Sequence, residues 1–365
     1  MTHVSELDTP ALLIDLDIME RNLRKLADYS ADHGLRVRPH TKTHKIPALA
    51  RRQIELGAAG LTVAKVGEAE VMMQVSPQDL LVAYPIIGTS KLNRLMQIAR
   101  KTHVTVSLDS LFVAGQLSDA ASTVPDGIGV LAEVDVGLGR VGVAPGEPLL
   151  ELIRGIQRMP NLRLEGLAFY PGQIKSLDEG GQRALRSLGD LLEKTVAEVR
   201  AAGFNPKIVS GGSTPTLFHS HLLPELNEIR PGTYIFNDRN TVLSGACGPE
   251  ECAASILVTV VSTAKAGQMI IDGGSKTFSS DRPVAGAEVS FGHVVEAPQA
   301  VFTKMNEEHG FVDLHRADRG FSTGDRVHVI PNHVCVAVNL HECVYGVRRD
   351  IVEQVWRVEG RGKLQ

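Results

Sequence analysis

The chain has 365 residues, of which 43% are hydrophobic and 22% charged, and its formal net charge at pH 7 is −4. This length fits two domains of a globular protein, and the acidic balance excludes a basic surface for nucleic acid. There is no apolar run long enough to cross a membrane, no signal-peptide pattern, and only four cysteines, so we expect a cytoplasmic protein without a disulfide framework.

Apolar residues at helical spacing predict a first helix over residues 18–30, which Gly34 ends. Short apolar runs then alternate with amphipathic segments. Eight runs predict strands at 35–44, 60–66, 79–87, 103–109, 129–136, 162–170, 207–212 and 229–236. The intervening segments predict helices at 46–57, 68–75, 90–101, 110–122, 147–159 and 183–203. Because these strands are apolar throughout, they indicate a parallel sheet covered on both faces. Their number favours a (β/α)₈ barrel of the TIM type over residues 12–245, and an open doubly wound sheet is the alternative.

Near residue 246 the pattern changes to alternation at period two, which is typical of half-buried strands. Strands are predicted at 254–264, 268–274, 287–297, 326–340, 343–347 and 351–358, with no helix between them. The sequence therefore predicts an α/β protein in which a C-terminal all-β domain over 246–365 follows the barrel.

Active-site residues of such a barrel lie at the C-terminal ends of its strands. The first predicted strand ends in RPHTKTHK, where Lys42 stands among cationic side chains. Desolvation among these charges would depress the pKa of Lys42 and make its amine a nucleophile toward aldehydes. Lys45 is the rival candidate, and a solvated basic loop is the alternative interpretation.

The fifth and sixth predicted strands end in VGLGRVGV and FYPG. The glycines predict a tight turn that directs Arg140 into the site as a fixed cation. The alternative is an exposed arginine paired with Asp135. Tyr170 either stacks on a flat ligand or belongs to the core.

The seventh strand ends in SGGSTPT, and the eighth carries RPGTY. Small residues let successive backbone N–H groups turn toward an anion, and the hydroxyls of Ser213 and Thr214 add donors. Loops after the last two strands are the usual phosphate position in this fold. Gly232 and Thr233 of RPGTY are therefore further candidates for the phosphate site.

In PNHVC, His333 and Cys335 are two residues apart on a predicted strand, so their side chains point to one face. Imidazole and thiolate suit a divalent metal such as zinc, and two protein ligands leave positions open for substrate. A core histidine and cysteine are the alternative. Asp272, at a strand end, is either a turn residue or a site residue.

Taken together and in this order, DTPALLIDLD, RPHTKTHK, VGLGRVGV, SGGSTPT, RPGTY and PNHVC resemble one branch of the alanine-racemase-type (fold type III) pyridoxal-phosphate enzymes. That branch contains D-threonine aldolases and D-serine dehydratases, and the resemblance spans nearly the whole chain. It implies that Lys42 holds pyridoxal 5'-phosphate as a Schiff base, with Arg140 near the ring hydroxyl and Tyr170 facing the ring. The phosphate site implied by the resemblance comprises Ser213, Thr214, Gly232, Thr233 and Tyr234.

The resemblance further implies that His333 and Cys335 bind zinc or manganese, that residues 1–11 join the β domain, and that the enzyme is a homodimer. Its substrate would be a D-3-hydroxy amino acid, cleaved to glycine and an aldehyde, with His333 or a metal-bound water as the candidate base for the hydroxyl proton. Dehydration, as in D-serine or D-3-hydroxyaspartate dehydratases, is the alternative, and Cys335 does not decide between them. An amino-acid racemase and a non-catalytic pyridoxal-phosphate carrier are further alternatives. No nucleic acid or membrane partner is expected.

Overall fold

The computed structural model describes residues 2–284 and 288–365, so Ala287, the first residue of the strand predicted at 287–297, lies outside the described residues. The chain forms two compact units. The barrel unit comprises residues 26–42, 47–232 and 362–365, and the β unit comprises residues 2–25, 43–46 and the described part of 233–361.

The strands, in chain order, are β1 (Thr2–His3), β2 (Ala11–Asp15), β3 (Arg36–Val37), β4 (Leu61–Val63), β5 (Asp79–Val82), β6 (His103–Leu108), β7 (Ile128–Val134), β8 (Leu162–Phe169), β9 (Ile208–Gly211), β10 (Glu228–Ile229), β11 (Ala254–Ser262), β12 (Gln268–Ile271), β13 (Gly292–Val294), β14 (Val301–Met305), β15 (Gly310–Asp313), β16 (Arg326–Pro331), β17 (Cys343–Arg348) and β18 (Ile351–Arg357). The α-helices are α1 (Leu16–Asp32), α2 (Pro47–Glu55), α3 (Val66–Met72), α4 (Thr89–Ala99), α5 (Leu111–Ala121), α6 (Glu147–Gln157), α7 (Glu179–Ala201), α8 (Arg239–Leu243), α9 (Ser275–Phe278) and α10 (Val334–Leu340). Within the described ranges, no helix is both long enough and apolar enough to span a membrane.

The barrel unit is built on one parallel sheet in the order β3-β10-β9-β8-β7-β6-β5-β4. The two end strands also meet, because the chain after β3 pairs with β4 through a bridge between His40 and Thr62. The N–H of Thr41 donates to the carbonyl of Thr62, and the N–H of Thr62 donates to that of Pro39, both at 2.9 Å. The sheet therefore closes on itself, which confirms the predicted barrel and excludes the open doubly wound sheet.

Burial explains why these segments take their predicted forms. All seven residues of β7 are buried, as expected for a strand covered on both faces. On α6, the buried residues Leu149, Leu152, Ile153 and Ile156 follow a spacing of three or four. Burying such a side chain stabilises the fold by roughly 1.5–3 kcal/mol, so the apolar stripe fixes the face that the helix turns to the sheet.

The β unit contains a mixed sheet in the order β1-β18-β17-β2-β11-β12-β15-β14, and β16 pairs with β11 and β13. The start of the chain belongs to this sheet, since β1 is antiparallel to β18 and β2 lies between β11 and β17. Val4, Leu7, Ala11 and Leu13 pack with Leu257 in one buried cluster. The strand-rich C-terminal domain expected from the sequence is confirmed.

Several local predictions are wrong. The first barrel strand covers only Arg36–Val37 of the predicted 35–44, and residues 41–44 form a turn. The eighth barrel strand covers only Glu228–Ile229, and a 3₁₀ turn, Thr233–Ile235, replaces its predicted continuation. The strand predicted at 326–340 ends at Pro331, and α10 follows it. His333 is the N-cap residue of that helix rather than a strand residue. The β unit is therefore strand-rich but not free of helix.

Candidate active site

The turn over residues 41–44, after β3, contains Lys42, and Lys45 follows it directly in different surroundings. Lys42 is exposed, and its backbone N–H lies 3.4 Å from Nδ1 of His40, to which it donates. The prediction that Lys42 is desolvated is therefore wrong, because this residue is exposed. Lys45 is 7% exposed, and its Nζ donates to Oδ1 of Asn339 at 2.8 Å. Of the two amines, only that of Lys42 is presented for reaction.

The loop after β7 brings Arg140 to Tyr170. Oδ1 of Asp135 accepts hydrogen bonds from the backbone N–H groups of residues 137–139 at 3.0–3.1 Å. The hydrogen bond from Gly139 contributes most, and together these donors hold the pKa of Asp135 below its usual value. With Asp135 engaged in the loop, the guanidinium carbon of Arg140 lies 4.7 Å from the ring centre of Tyr170. The structure thus joins two predicted site residues in a cation–π contact.

The loop after β9 presents backbone donors. Gly212 has a φ of +85°, a left-handed conformation that favours glycine. Ser213 is 6% exposed, and its Oγ lies 3.2 Å from Oγ1 of Thr216. The backbone N–H groups of residues 212–214 donate to no acceptor in the part of the chain that the structure describes. Such free, adjacent donors fit an anion such as a phosphate.

The remaining predicted phosphate residues lie on the segment after β10. Gly232 is buried beside Pro231, whose carbonyl accepts the N–H of His40 at 2.9 Å. Thr233 and Tyr234 belong to the 3₁₀ turn of the β unit, where Thr233 is half-buried and Tyr234 is 5% exposed.

Sequence reasoning missed Arg230, which is 9% exposed at the end of β10. Its guanidinium donates to Oγ of Ser210 at 2.6 Å and to the carbonyl of Phe169 at 2.9 Å. Burial lowers the pKa of Arg230, and the carboxylates of Glu133 and Glu228 oppose this effect. A charged residue inside a predicted buried strand was the signal that could have identified it.

In the β unit, a buried carboxylate orients His333. Nδ1 of His333 lies 3.1 Å from Oδ2 of Asp238, a side chain with no exposed surface. The same oxygen accepts the N–H of Val334 at 3.0 Å, and Oδ1 accepts that of Thr241 at 2.8 Å. Asp238 therefore fixes one imidazole nitrogen and leaves Nε2 as the atom available to a ligand.

Cys335 lies in the first turn of α10, and its side chain is within hydrogen-bond reach of His333, the N-cap residue. The charge of Cys335 raises the pKa of His333 most, burial opposes it, and the hydrogen bond that Asp238 accepts from the imidazole adds to the rise, which brings the pKa to about 11. Sγ of Cys335 lies 3.2 Å from Oγ1 of Thr43 and 3.8 Å from Oγ1 of Thr233.

The donor set of this pair suits a divalent metal. A histidine whose second nitrogen is held by a carboxylate is the usual arrangement of a metal ligand. Among the described residues, no group of three or more His, Cys, Asp or Glu side chains could hold a metal. Two protein ligands would leave coordination positions open, as in catalytic sites.

Asp272 has a structural role. Its Oδ1 accepts the N–H of Thr259 at 2.8 Å, and its Oδ2 accepts the hydroxyl of Thr9 at 2.5 Å. The carboxylate thus ties the N-terminal segment to β11 and β12, which favours the interpretation as a structural residue.

A closed parallel barrel with a lysine-bearing turn after its first strand, joined to a strand-rich domain, defines an alanine-racemase-like protein. The family model for the alanine racemase N-terminal domain matches residues 14–240, and a model for a serine dehydratase domain matches residues 253–347. The chain belongs to the alanine-racemase-type (fold type III) family of pyridoxal-phosphate enzymes, as the sequence motifs predicted.

Similar proteins in this family are lyases. The chain is 32% identical to 3-hydroxy-D-aspartate aldolase of Paracoccus denitrificans over 98% of its length and 93% of the relative. It is 32% identical to D-threo-3-hydroxyaspartate dehydratase of Delftia sp., over 96% and 97%. The crystal structure of D-threonine aldolase from Filomicrobium marinum superposes with a TM-score of 0.92 at 30% identity, covering 99% of this chain and 98% of that one. A D-threo-3-hydroxyaspartate dehydratase mutant, solved in a metal-free form, superposes with a TM-score of 0.89 at 30% identity, over 98% and 99%.

Proposed function

We propose that this protein is a pyridoxal-phosphate- and divalent-metal-dependent lyase that cleaves D-3-hydroxy amino acids to glycine and an aldehyde. Full-length similarity to two aldolases of such substrates supports this reaction class. The observation that carries the proposal is the arrangement of His333, whose Nδ1 is held by the buried Asp238 and whose neighbour is Cys335. A racemase of this fold has no need for such a pair.

The barrel unit would hold the cofactor. The exposed amine of Lys42 would bind its aldehyde carbon, and the Arg140–Tyr170 pair would contact its ring. When bound, pyridoxal phosphate supplies an electron sink for charge at the α carbon of an amino acid. The residues proposed for the phosphate are Ser213, Thr214, Gly232, Thr233 and Tyr234. The free backbone donors of residues 212–214 are the strongest support for this assignment.

The β unit would hold the metal through Nε2 of His333 and Sγ of Cys335. A divalent ion there supplies a Lewis acid for the 3-hydroxyl oxygen of the substrate. Imidazole and thiolate favour zinc over manganese, since thiolate is a soft ligand. With Nδ1 engaged by Asp238 and Nε2 taken up in holding a metal, His333 would have no free nitrogen to act as a general base. We therefore propose His333 as a ligand and not as the base.

Lys42 would also move a proton. With a substrate amine in its place, Nζ of Lys42 would be free to take up the proton that the 3-hydroxyl loses and to return it to the α carbon. Cleavage of the Cα–Cβ bond leaves an α carbon that must be protonated to give glycine, and Nζ is the group that we propose for this transfer.

The test is incubation of the holoenzyme with D-threonine and, separately, with D-serine. The proposal predicts glycine and acetaldehyde from D-threonine. Formation of 2-oxobutyrate or pyruvate instead would establish the second candidate, a dehydratase, which the similarity to the Delftia enzyme favours. Chelator-resistant racemisation of alanine, or a cofactor-loaded protein inert toward all D-amino acids, would contradict both. We also propose a homodimer, to be checked by sedimentation equilibrium.

A further inference from the structure

The segment Thr43–Ile46 makes two polar contacts with one face of α10. Oγ1 of Thr43 lies 3.2 Å from Sγ of Cys335, and Nζ of Lys45 donates to Oδ1 of Asn339 at 2.8 Å. Cys335 and Asn339 are four residues apart within the helix, so their side chains lie on the same face, one turn apart. The segment therefore spans one turn of the helix that carries the proposed metal ligand.

Both contacts are made by buried side chains. Thr43 has no exposed surface, and Lys45 is only 7% exposed. A buried ammonium is costly unless it is hydrogen-bonded, and the contact with the Asn339 amide satisfies one of its donors. Apolar side chains would fill the same space at a smaller desolvation cost, which indicates that these polar groups serve to set a position.

The backbone of the segment is held as well. Lys45 has a φ of +57°, a left-handed conformation that is rare for residues other than glycine. The carbonyl of Lys45 accepts the N–H of Gly360 at 3.0 Å, and a Cβ on Gly360 would come within 2.8 Å of Cβ of Lys45. Such a conformation persists only where the surroundings determine it. The segment is thus fixed on both sides.

We propose that Thr43 and Lys45 are positioning residues for the metal pair. Thr43 fixes the side-chain rotamer of Cys335 by donating its hydroxyl hydrogen to Sγ, and Lys45 fixes the rotation of α10 through Asn339. This inference rests on the proposed function, in which Cys335 is a metal ligand. Because Thr43 follows Lys42 directly, one short stretch of chain contains the proposed cofactor lysine and the groups that aim the proposed metal ligand.

The first test compares three variants by their affinity for Zn²⁺, measured by chelator competition. Thr43→Val removes the hydroxyl and keeps the shape, and it should weaken Zn²⁺ binding about 10–100-fold, as other changes behind metal ligands do. Thr43→Ser restores the hydroxyl and should recover most of the affinity. The matched control is Thr41→Val, which removes a buried hydroxyl from the same turn. That hydroxyl donates to the carbonyl of Thr62 at 3.2 Å, so its loss should leave the Zn²⁺ affinity unchanged.

A spectroscopic readout separates positioning from general loosening. In the Co²⁺-substituted protein, Thr43→Val should shift or weaken the thiolate-to-cobalt charge-transfer band, and Thr43→Ser should return it to the wild-type form. Circular dichroism and urea unfolding must show that each variant folds. An unchanged affinity and an unchanged band in folded Thr43→Val would overturn the role of Thr43.

Lys45→Met and Asn339→Leu test the second contact. Each should weaken Zn²⁺ binding, and the double variant should be no weaker than the more affected single variant, because both changes remove one interaction. Fully additive losses would overturn the Lys45–Asn339 link.

Cys335→Ala separates the proposed metal role of Cys335 from the positioning role of Thr43. If it leaves Zn²⁺ affinity unchanged, the metal role in the proposed function is wrong. If it weakens binding while Thr43→Val does not, only the positioning inference is wrong.

Discussion

Two lysines stand three residues apart at the turn after β3, and their surroundings differ. Sequence alone placed Lys42 and Lys45 in competition because both are cations at the end of a predicted strand. The hydrogen bond from Lys45 to Asn339 could not be predicted, since 294 residues separate the two in the chain. The exposed Lys42 and the buried Lys45 are therefore distinguished only by the fold.

We predict that Lys42→Ala abolishes the covalent link to the cofactor. In the wild-type enzyme, borohydride should reduce that link and leave the cofactor attached after denaturation. The Lys42→Ala protein should release all of its cofactor, because no second amine is presented in that turn. Lys45→Met is the matched control and should retain reducible attachment. Mass spectrometry of the denatured proteins measures both, and cofactor retained by Lys42→Ala would contradict the assignment.

The carboxylate of Asp238 holds the imidazole of His333 in place. Asp238→Asn keeps an oxygen that can accept hydrogen bonds but removes the charge facing Nδ1 of His333. We expect the affinity for Zn²⁺ to fall about 10-fold or more, as for other groups that orient a metal ligand. Asp272→Asn, which changes a carboxylate with structural contacts to Thr9 and Thr259, should not affect it. Chelator competition on both variants decides the point.

The two residues that the sequence did not reveal share one property. Asp238 and Arg230 act through contacts with residues distant in the chain, His333 and Phe169. Motif reading identifies residues that stand near glycines, turns or other chemistry-bearing residues, as it did for Arg140 and Ser213. It does not find a group whose function is to orient another.

Helix α10 shows how an alternating sequence pattern can predict a strand where a helix forms. The segment RVHVIPNHVCVAVNL alternates valine with other residues, and β-branched side chains favour strands. The helix forms because Oδ2 of Asp238 accepts the N–H of Val334 at its first turn. Val334, Ala337 and Val338 are then buried at helical spacing. Tertiary contacts outweigh propensity here, and sequence periodicity cannot show them.

Strands β3, β5 and β10 share a buried ion cluster inside the barrel unit. Arg38 and Glu228 have no exposed surface and approach to 3.0 Å, and Arg38 also donates to both oxygens of Asp79 at 2.8–2.9 Å. Removing one partner of such a pair leaves a buried charge uncompensated.

We expect Glu228→Gln to lower the free energy of unfolding by about 3–5 kcal/mol, the usual cost of breaking a buried pair. Urea denaturation followed by circular dichroism measures it. Glu225→Gln is the control, since Glu225 pairs with Arg200 at the surface, where ion pairs contribute about 0–1 kcal/mol. Equal losses in the two variants would show that the cluster does not stabilise the barrel.

The His103–Glu165 contact between β6 and β8 should make stability depend on pH. Nε2 of His103 lies 3.3 Å from Oε2 of Glu165, and the hydrogen bond between them raises the pKa of His103 above its ordinary value. A raised histidine pKa contributes stability that is present below the unfolded pKa of about 6.5 and is lost as pH rises through the folded pKa.

We therefore predict that His103→Gln is destabilised relative to wild type at about pH 5.5 and that the difference shrinks by about pH 9, on either side of the ordinary histidine pKa. Urea unfolding of both proteins at the two pH values gives the comparison. A difference that is constant with pH would mean that the imidazole packs but does not pair.

The architecture of the molecule could be predicted because barrel strands such as β4 and β7 are buried throughout and helices such as α6 bury one face. The apolar runs in the sequence then correspond to strands of the sheet, as for β7. The choice between a closed and an open sheet could not be made this way. It depends on the pairing of His40 with Thr62, a contact between backbones that carries no side-chain pattern.

The number of proposed metal ligands bears on whether the metal contributes to folding of the chain. Structural zinc sites have four protein ligands, and their metal contributes directly to folding. Here only His333 and Cys335 are proposed, and within the described ranges no larger ligand group exists. Their positions are held by protein contacts, from Asp238 and Thr43.

Removing the metal with a chelator should therefore abolish lyase activity while leaving the thermal unfolding midpoint nearly unchanged. A loss of 1 kcal/mol would lower the midpoint by only about 2–4 °C in a large chain. Adding Zn²⁺ should restore activity without refolding. Differential scanning calorimetry and a glycine assay on the same samples give the two readouts. A large drop in the midpoint together with lost activity would show that the metal organises the β unit, which would require ligands beyond the proposed pair.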